Sequence, residues 1–325
     1  MIGPATGIPQ ALRAAPLEVL GQLLDSSNTT LLVALEGSDA GAAPEPNGAL
    51  ACTHAIYKPV AGERPLWDFP DGHLAHREVA TWLVATAGGW DVVPPTVLRD
   101  GPFGRGSVQR WVTAVPGEAE RVTFDDEDDG EFGWGEQAEA DGSPHGPADE
   151  DAADLYDVDT QVEHSDRFVD LFEPAELPQG GLPVLSGQLS TGGHVVVAHA
   201  DRADLRSVAV LDAVLNNSDR KGSHLLLGLD GRLWCIDHGL TLHREDKLRT
   251  VLWGWAGRPI PEADLTRVAR LREQLDPGTA LMGQLLELLT RAEIVALRRR
   301  CDQLLSAGVH PHPSPDWPSV PWPAL

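Results

Sequence analysis

The residues with the most chemical content lie in one stretch, Leu211–Leu242, LDAVLNNSDRKGSHLLLGLDGRLWCIDHGLTL. Asn217-Ser-Asp219-Arg220 and Asp237-His238-Gly239 read as polar loops. Between them, His224–Leu229 and Arg232–Asp237 are two apolar runs joined by Asp230-Gly231, the strongest short hairpin signal in a sequence. A two-residue loop pairs Leu229 with Arg232 and sets His224 opposite Asp237, where Cβ atoms lie about 4.5–5.5 Å apart. Two metal-competent side chains then end side by side, with Asp219 on the loop ahead of them. This arrangement suits phosphoryl transfer. One acid orients an acceptor hydroxyl, while the other and its neighbour hold a divalent cation on the nucleotide phosphates. A surface hairpin with solvated ends is the plainer reading of an isolated Asp-x-Gly; the order and spacing of all three motifs favour the chemical one.

Elements upstream must supply the other half of such a site. Pro16–Leu24 reads as a short amphipathic helix and Thr29–Leu35 as a strand. Glu36–Gly48 is a Gly/Ala/Pro-rich loop, either a phosphate cover or a plain connector. Ala51–Pro59 alternates as a strand and presents Lys58 near its end. His76–Ala87 has helical spacing, and Glu78 near its start is placed to reach back to Lys58. A strand lysine fixed by a helix glutamate is how kinase-like folds hold the α/β-phosphates. Thr96–Leu98 and Gly106–Thr113 read as further strands, and Gln109, Arg110, Trp111 and Val112 form the segment whose backbone would pass an adenine.

Downstream, Phe168–Phe172 and His194–Ala198 read as strands and Leu205–Asn216 as a helix running into the central stretch. Leu240–Gly257 carries Arg244, Lys247, Arg249, Trp253 and Trp255. It reads equally as a receiving surface for an anionic or amphipathic substrate and as buried tryptophans under a solvated charged face. Leu265, Val268, Leu271 and Leu275 follow helical spacing. Thr290-Arg-Ala-Glu293 is a capping box that opens a last helix through Leu305, ended by Gly308. His310–Pro323 is an extended proline-rich tail expected to pack on the surface through Trp317 and Trp322. No internal repeat is present.

Composition narrows the function classes. Of the net charge of −24, residues 118–176 account for −20, with 22 acidic residues against two basic ones. That segment, rich in Gly and Pro and poor in aliphatics, is expected to be loosely ordered, either as a solvating insertion or as an autoinhibitory or partner-binding tether. No basic patch favours nucleic acid, and none favours adhesion to anionic lipid. Cys52, Cys235 and Cys301 follow no metal spacing and suggest a reducing compartment. With neither a secretory leader nor a membrane-length apolar run, a cytoplasmic location is the expectation.

Ala55-Ile-Tyr-Lys-Pro59, Gly106-Ser-Val-Gln-Arg-Trp-Val112, Asn217-Ser-Asp-Arg220 and Ile236-Asp-His-Gly239 together resemble the phosphatidylinositol 3-/4-kinase superfamily. The similarity is greatest to the type II phosphatidylinositol 4-kinases, in a bacterial branch, and spans roughly residues 50–115 and 180–260. The resemblance implies an α+β, two-lobed protein-kinase-like fold. Its N-terminal lobe would be 1–112 and its mainly helical catalytic lobe 113–325, with the acidic insertion at about 118–176 and the tail at 309–325. It also implies transfer of the γ-phosphate of ATP to a hydroxyl with Mg²⁺ or Mn²⁺. In those terms Lys58 binds phosphates, Glu78 anchors Lys58, Gln109–Val112 meet the nucleotide, Asp219 and Arg220 are catalytic, and Asp237 holds metal. Five residues after the catalytic aspartate the family has asparagine, where this chain has His224, a poorer partner for Mg²⁺ and a good one for Mn²⁺. The palmitoylated cysteine cluster of the eukaryotic enzymes is missing, so no stable membrane anchor is implied. The acceptor stays open among a lipid headgroup, a protein (as in HipA-type serine/threonine kinases) and a small molecule. A nucleotide-binding pseudokinase that recruits a protein partner is the non-enzymatic alternative.

Overall fold

A five-stranded antiparallel sheet opens the chain: β1 (Leu17–Gln22), β2 (Leu31–Leu35), β3 (His54–Pro59), β4 (Thr96–Gly101) and β5 (Gly104–Arg110), ordered β1-β2-β3-β5-β4. The computed structural model describes residues 9–23, 28–36, 53–115, 168–188 and 193–325. The loop expected over Glu36–Gly48 falls almost wholly outside them. The period-2 alternation of strands decides which side chains face which layer. Ala55 and Tyr57 of β3 are buried with Leu31, Val33, Leu35 and Val108, under Leu12 of α1 (Gln10–Ala14). Lys58 and Ile56 therefore point to the opposite face, where both stay half-buried.

The expected helix over Pro16–Leu24 is instead β1. It pairs with β2 as an edge strand, irregular between Val19 and Gly21. A helix there would need a stripe of buried apolar residues, yet Val19 and Leu20 remain 39% and 50% exposed. Backbone pairing to β2 outweighs the weak helical pattern of so short a segment.

The helix α2 (Leu74–Gly88) is capped at its C-terminus by Gly89 in the left-handed region, whose N–H reaches Ala85 and Thr86. Ala80, Val84 and Ala87 join a core with residues of α3 (Ala203–Leu215), α4 (Glu262–Gln274), α5 (Ala280–Leu288) and α6 (Arg291–Ala307). The capping box at Thr290/Glu293 forms in full, and Gly308 ends α6 at φ 65°. A three-stranded antiparallel sheet, in the order β6 (Val169–Phe172), β8 (His194–Ala200), β7 (Gly181–Gln188), packs with α3 and the central hairpin in a second core. Residues 118–167 of the acidic segment lie outside the described residues, whereas its last part already belongs to this sheet through β6. The described residues thus form an α+β structure of antiparallel sheets and six α-helices. None of these helices is long and apolar enough to cross a membrane.

The central hairpin forms with a different register from the expected one. In β9 (Leu225–Leu227) and β10 (Leu233–Cys235), Leu227 pairs with Leu233 and Leu225 with Cys235. The loop is accordingly three residues, Leu229–Gly231, with Gly231 left-handed at φ 72°. Asp230 Oδ1 accepts the Arg232 amide and the Trp234 indole N–H, which favours this longer loop. His224 consequently sits opposite Ile236, whose amide donates to the His224 carbonyl, rather than opposite Asp237.

Candidate active site

Four segments distant in sequence meet beside Lys58. Its ammonium donates to Glu78 Oε1 at 2.5 Å and to Asp237 Oδ1 at 2.8 Å. Glu78 Oε2 accepts the backbone N–H of His238, so one buried carboxylate ties β3, α2 and the loop after β10 together. Burial alone would depress the Lys58 ammonium, but the Asp237 and Glu78 carboxylates overcome this and raise it above its ordinary range. Asp237, beside the Lys58 charge, is held well below the usual carboxylate range. Burial pushes Glu78 up, against the pull of Lys58.

Asp237 reaches this position in spite of the shifted register. It leaves β10 in the left-handed region, φ 55°, a conformation that aspartate tolerates better than most residues. Its Oδ2 ends 3.6 Å from His224 Nε2. The imidazole is buried and stays neutral, its pKa lowered to about 4 by burial and held there against the opposing pull of Asp237. Its Nδ1 has no hydrogen-bond partner among the described residues. Asp219 completes the group from the loop after α3. Burial and the Asp237 charge raise its pKa, while Lys221 at 3.5 Å opposes them.

Arg220, expected beside Asp219 as a catalytic residue, is placed differently. It is fully buried beneath the loop. The guanidinium donates to Asp212 from Nε and Nη2, to the carbonyls of His224 and Ile236 from Nη1, and to His238 Nε2 at 2.9 Å. It is a cross-brace between α3 and the two ends of the hairpin. Asn217 is also fully buried. Its Oδ1 accepts the Asp219 amide and its Nδ2 donates to Asp212. Asp212, which also accepts the Thr250 hydroxyl, is the hub of the network and was not singled out from sequence. The available signal was a lone carboxylate inside the apolar helical run Val208-Ala-Val-Leu-Asp-Ala-Val-Leu215, which demands buried partners.

The segment Gln109–Val112 lies at the end of β5. The Gln109 side chain donates to Thr96, and the Arg110 and Trp111 amides donate to Pro95 and His54 carbonyls. Two of the backbone donors expected to read a base are thus already engaged. Arg110 stacks 4.6 Å from the Trp234 ring centroid, and the two residues line a cavity of about 240 Å³ with Trp111, Val112, His54 and Asp230. In the loop after the hairpin, Trp255 is core while Trp253 is half-buried. Lys247 is only 4% exposed, held near Trp67, Phe69 and Trp317, and Arg244 is exposed. Trp322 does not pack as expected, being 85% exposed; Val320, Ala324 and Leu325 pack instead.

Chemically, the arrangement offers a cation for phosphate, a strongly ionised carboxylate and a neutral imidazole for a metal, and a buried acid of raised basicity. Among the described residues no group of three or more His, Cys, Asp or Glu is drawn together to enclose a metal. The donor set is two-sided and fits an ion that takes its remaining ligands from phosphates and water, as Mg²⁺ does at nucleotide sites.

No protein-family model matches the chain. Among solved structures, the crystal structure of the Golgi casein kinase is similar at a TM-score of 0.38 and 13% identity, over 91% of this chain and 72% of that one, a likeness too small to bear on the site. Protein Rv2133c of Mycobacterium tuberculosis is 44% identical over 310 residues, 95% of this chain and 92% of the relative. At that identity and coverage, the chain belongs to the same family as Protein Rv2133c.

Proposed function

We propose that the protein is an ATP-dependent phosphotransferase with a two-lobed, protein-kinase-like arrangement, and that it transfers the γ-phosphate of ATP to a hydroxyl. The observation that carries this reading is the convergence of Lys58, Glu78 and Asp237, three charges from separate elements, with Lys58 at 2.5 and 2.8 Å from its partners. Lys58 neutralises nucleotide phosphates, and Glu78 keeps it in place. Ile56, two residues away on the same face of β3, offers an apolar surface for the base. Asp237 and His224 hold a divalent ion, Mn²⁺ more readily than Mg²⁺ because imidazole is one of the ligands. When bound, that ion supplies charge neutralisation on the β- and γ-phosphates. Asp219 orients the acceptor hydroxyl. The hydroxyl oxygen bonds to the γ-phosphorus, the bond from that phosphorus to the β,γ-bridging oxygen breaks, ADP leaves, and the hydroxyl proton passes to Asp219. Burial raises the basicity of Asp219, which favours that transfer. Arg220 acts through Asp212 and the hairpin as a positioning residue.

The resemblance to phosphatidylinositol kinases supports a lipid headgroup as acceptor, with a protein hydroxyl as the other candidate. A nucleotide-binding switch without turnover is favoured by one observation: Lys58 already occupies Asp237 Oδ1, which leaves the carboxylate a single oxygen, Oδ2 beside His224, for a metal. Purified protein, labelled ATP and either Mg²⁺ or Mn²⁺ separate these readings. Label on phosphoinositide vesicles or on protein identifies the acceptor class. Measurable ATP binding with no label transferred in either metal establishes the switch and sinks the enzyme.

A further inference from the structure

Proline and tryptophan dominate the last residues of the chain, and their contacts converge on the loops that carry Asp219. The Ser319 carbonyl accepts the Thr250 amide at 3.1 Å and the Trp253 indole N–H at 2.7 Å. The Ala324 carbonyl accepts the Gly222 amide at 2.9 Å. The Trp317 ring receives the Lys247 ammonium 4.1 Å from its centroid and the Arg249 guanidinium at 5.4 Å.

These anchor points lie on both flanks of Asp219. On one side, the amides of Arg220 and Val251 donate to the carbonyls of Arg249 and Arg220, and the Thr250 hydroxyl donates to Asp212. The Arg249 guanidinium donates to the Ser218 carbonyl at 2.6 Å. On the other side, Gly222 is closed in: an added Cβ would lie 3.2 Å from Leu325 and 3.3 Å from Val169. The Asp219 loop therefore rests on the tail directly at Gly222 and indirectly through residues 249–251.

We propose that residues 317–324 are a positioning segment that braces the Asp219 loop from both sides. A loop without regular structure holds its geometry only as well as its tethers do. Here the tail supplies the backbone acceptors of the Gly222 and Thr250 amides and the ring that meets Arg249, while Lys247 shares Trp317 with the more distant Trp67 and Phe69 rings. Loss of the brace returns the Gly222 and Thr250 amides to solvent and lets Asp219 drift, and a displacement of about 1 Å costs on the order of 10²-fold in rate. Lys58 and Glu78 are held by β3 and α2, so nucleotide affinity is preserved.

The inference rests on the phosphotransfer reading only for its catalytic readout, so amide exchange is measured in the same experiment. In the full chain, Trp317→Ala raises exchange of residues 217–224 and 249–251 about tenfold or more and leaves 54–59 unchanged. Trp317→Phe restores protection, and Trp322→Ala, at an exposed site, changes nothing. In turnover, Trp317→Ala lowers kcat while ATP affinity stays within about threefold. A chain ending at Asp316 shows the same local deprotection, reversed by a synthetic peptide of residues 317–325. Unchanged protection of 217–224 in Trp317→Ala overturns the brace, whether or not the wild type transfers phosphate. Absence of transfer by the wild type overturns the phosphotransferase alone.

Discussion

Two ion pairs lie on either side of the Asp237 backbone, and they are built for different tasks. Lys58–Asp237 joins side chains 23% and 48% exposed, in reach of a ligand. Arg220–Asp212 joins side chains that are both fully buried, with every nitrogen of the guanidinium engaged. A partly exposed pair can exchange its partner for a charged ligand, whereas a buried one is costly to break from one side. The first is suited to meeting a charged ligand and the second to fixing the backbone from which Asp219 and Asp237 project.

Substitution at the two pairs therefore separates activity from stability. Asp237→Ala should lower phosphotransfer by on the order of 10²–10³-fold. Its Tm should move little, because Lys58 keeps Glu78; a large Tm loss with activity retained would reverse the roles. Arg220→Met leaves Asp212 buried without its cation and should cost about 3–5 kcal/mol in denaturant unfolding. Adding Asp212→Leu should recover part of that loss, since the uncompensated charge is gone. If the two losses simply add, the pair does not act as a unit.

At the candidate site, His224→Asn tests the donor set. The ratio of Mg²⁺- to Mn²⁺-supported activity should rise about tenfold as an amide oxygen replaces imidazole. An unchanged ratio places His224 outside the metal site. The smallest effect is on stability against pH. His224 and His310 both have folded pKa values lowered to about 4, chiefly by burial. The unfolded chain then binds protons first as pH falls, so the stability these groups contribute is intact above about 6.5 and is lost as pH drops through 4. Melting curves should show Tm falling by about 5 °C or more from pH 6.5 to 4, and His310→Gln should flatten that slope.

The parts of the molecule that could be read in advance are those governed by local rules. Strand alternation put Lys58 on the face away from Tyr57, helical spacing put Glu78 near the start of α2, and the capping box and Gly308 bounded α6. The hairpin was foreseen, but its register was not, because Asp230-Gly231 suits a two-residue and a three-residue loop alike. The choice falls to Asp230 bonding Arg232 and Trp234. That Asp237 still reaches His224 depends on a left-handed backbone that no periodicity encodes. Arg220, read as catalytic from its place beside Asp219, lies buried in a bracing network for a related reason. A charged residue next to a candidate acid looks functional in one dimension, and only the fold reveals Asp212 waiting beneath it. The β1 edge strand, likewise, exists through its partner β2 rather than its own pattern.

The most direct test is diffraction from crystals grown with Mn²⁺ and a non-hydrolysable ATP analogue, using the anomalous signal to locate the metal. The account requires Mn²⁺ bonded to Asp237, with His224 as its neighbour and the nucleotide phosphates on Lys58. Nucleotide bound elsewhere on the chain, with Lys58 still closed on Asp237, would contradict it.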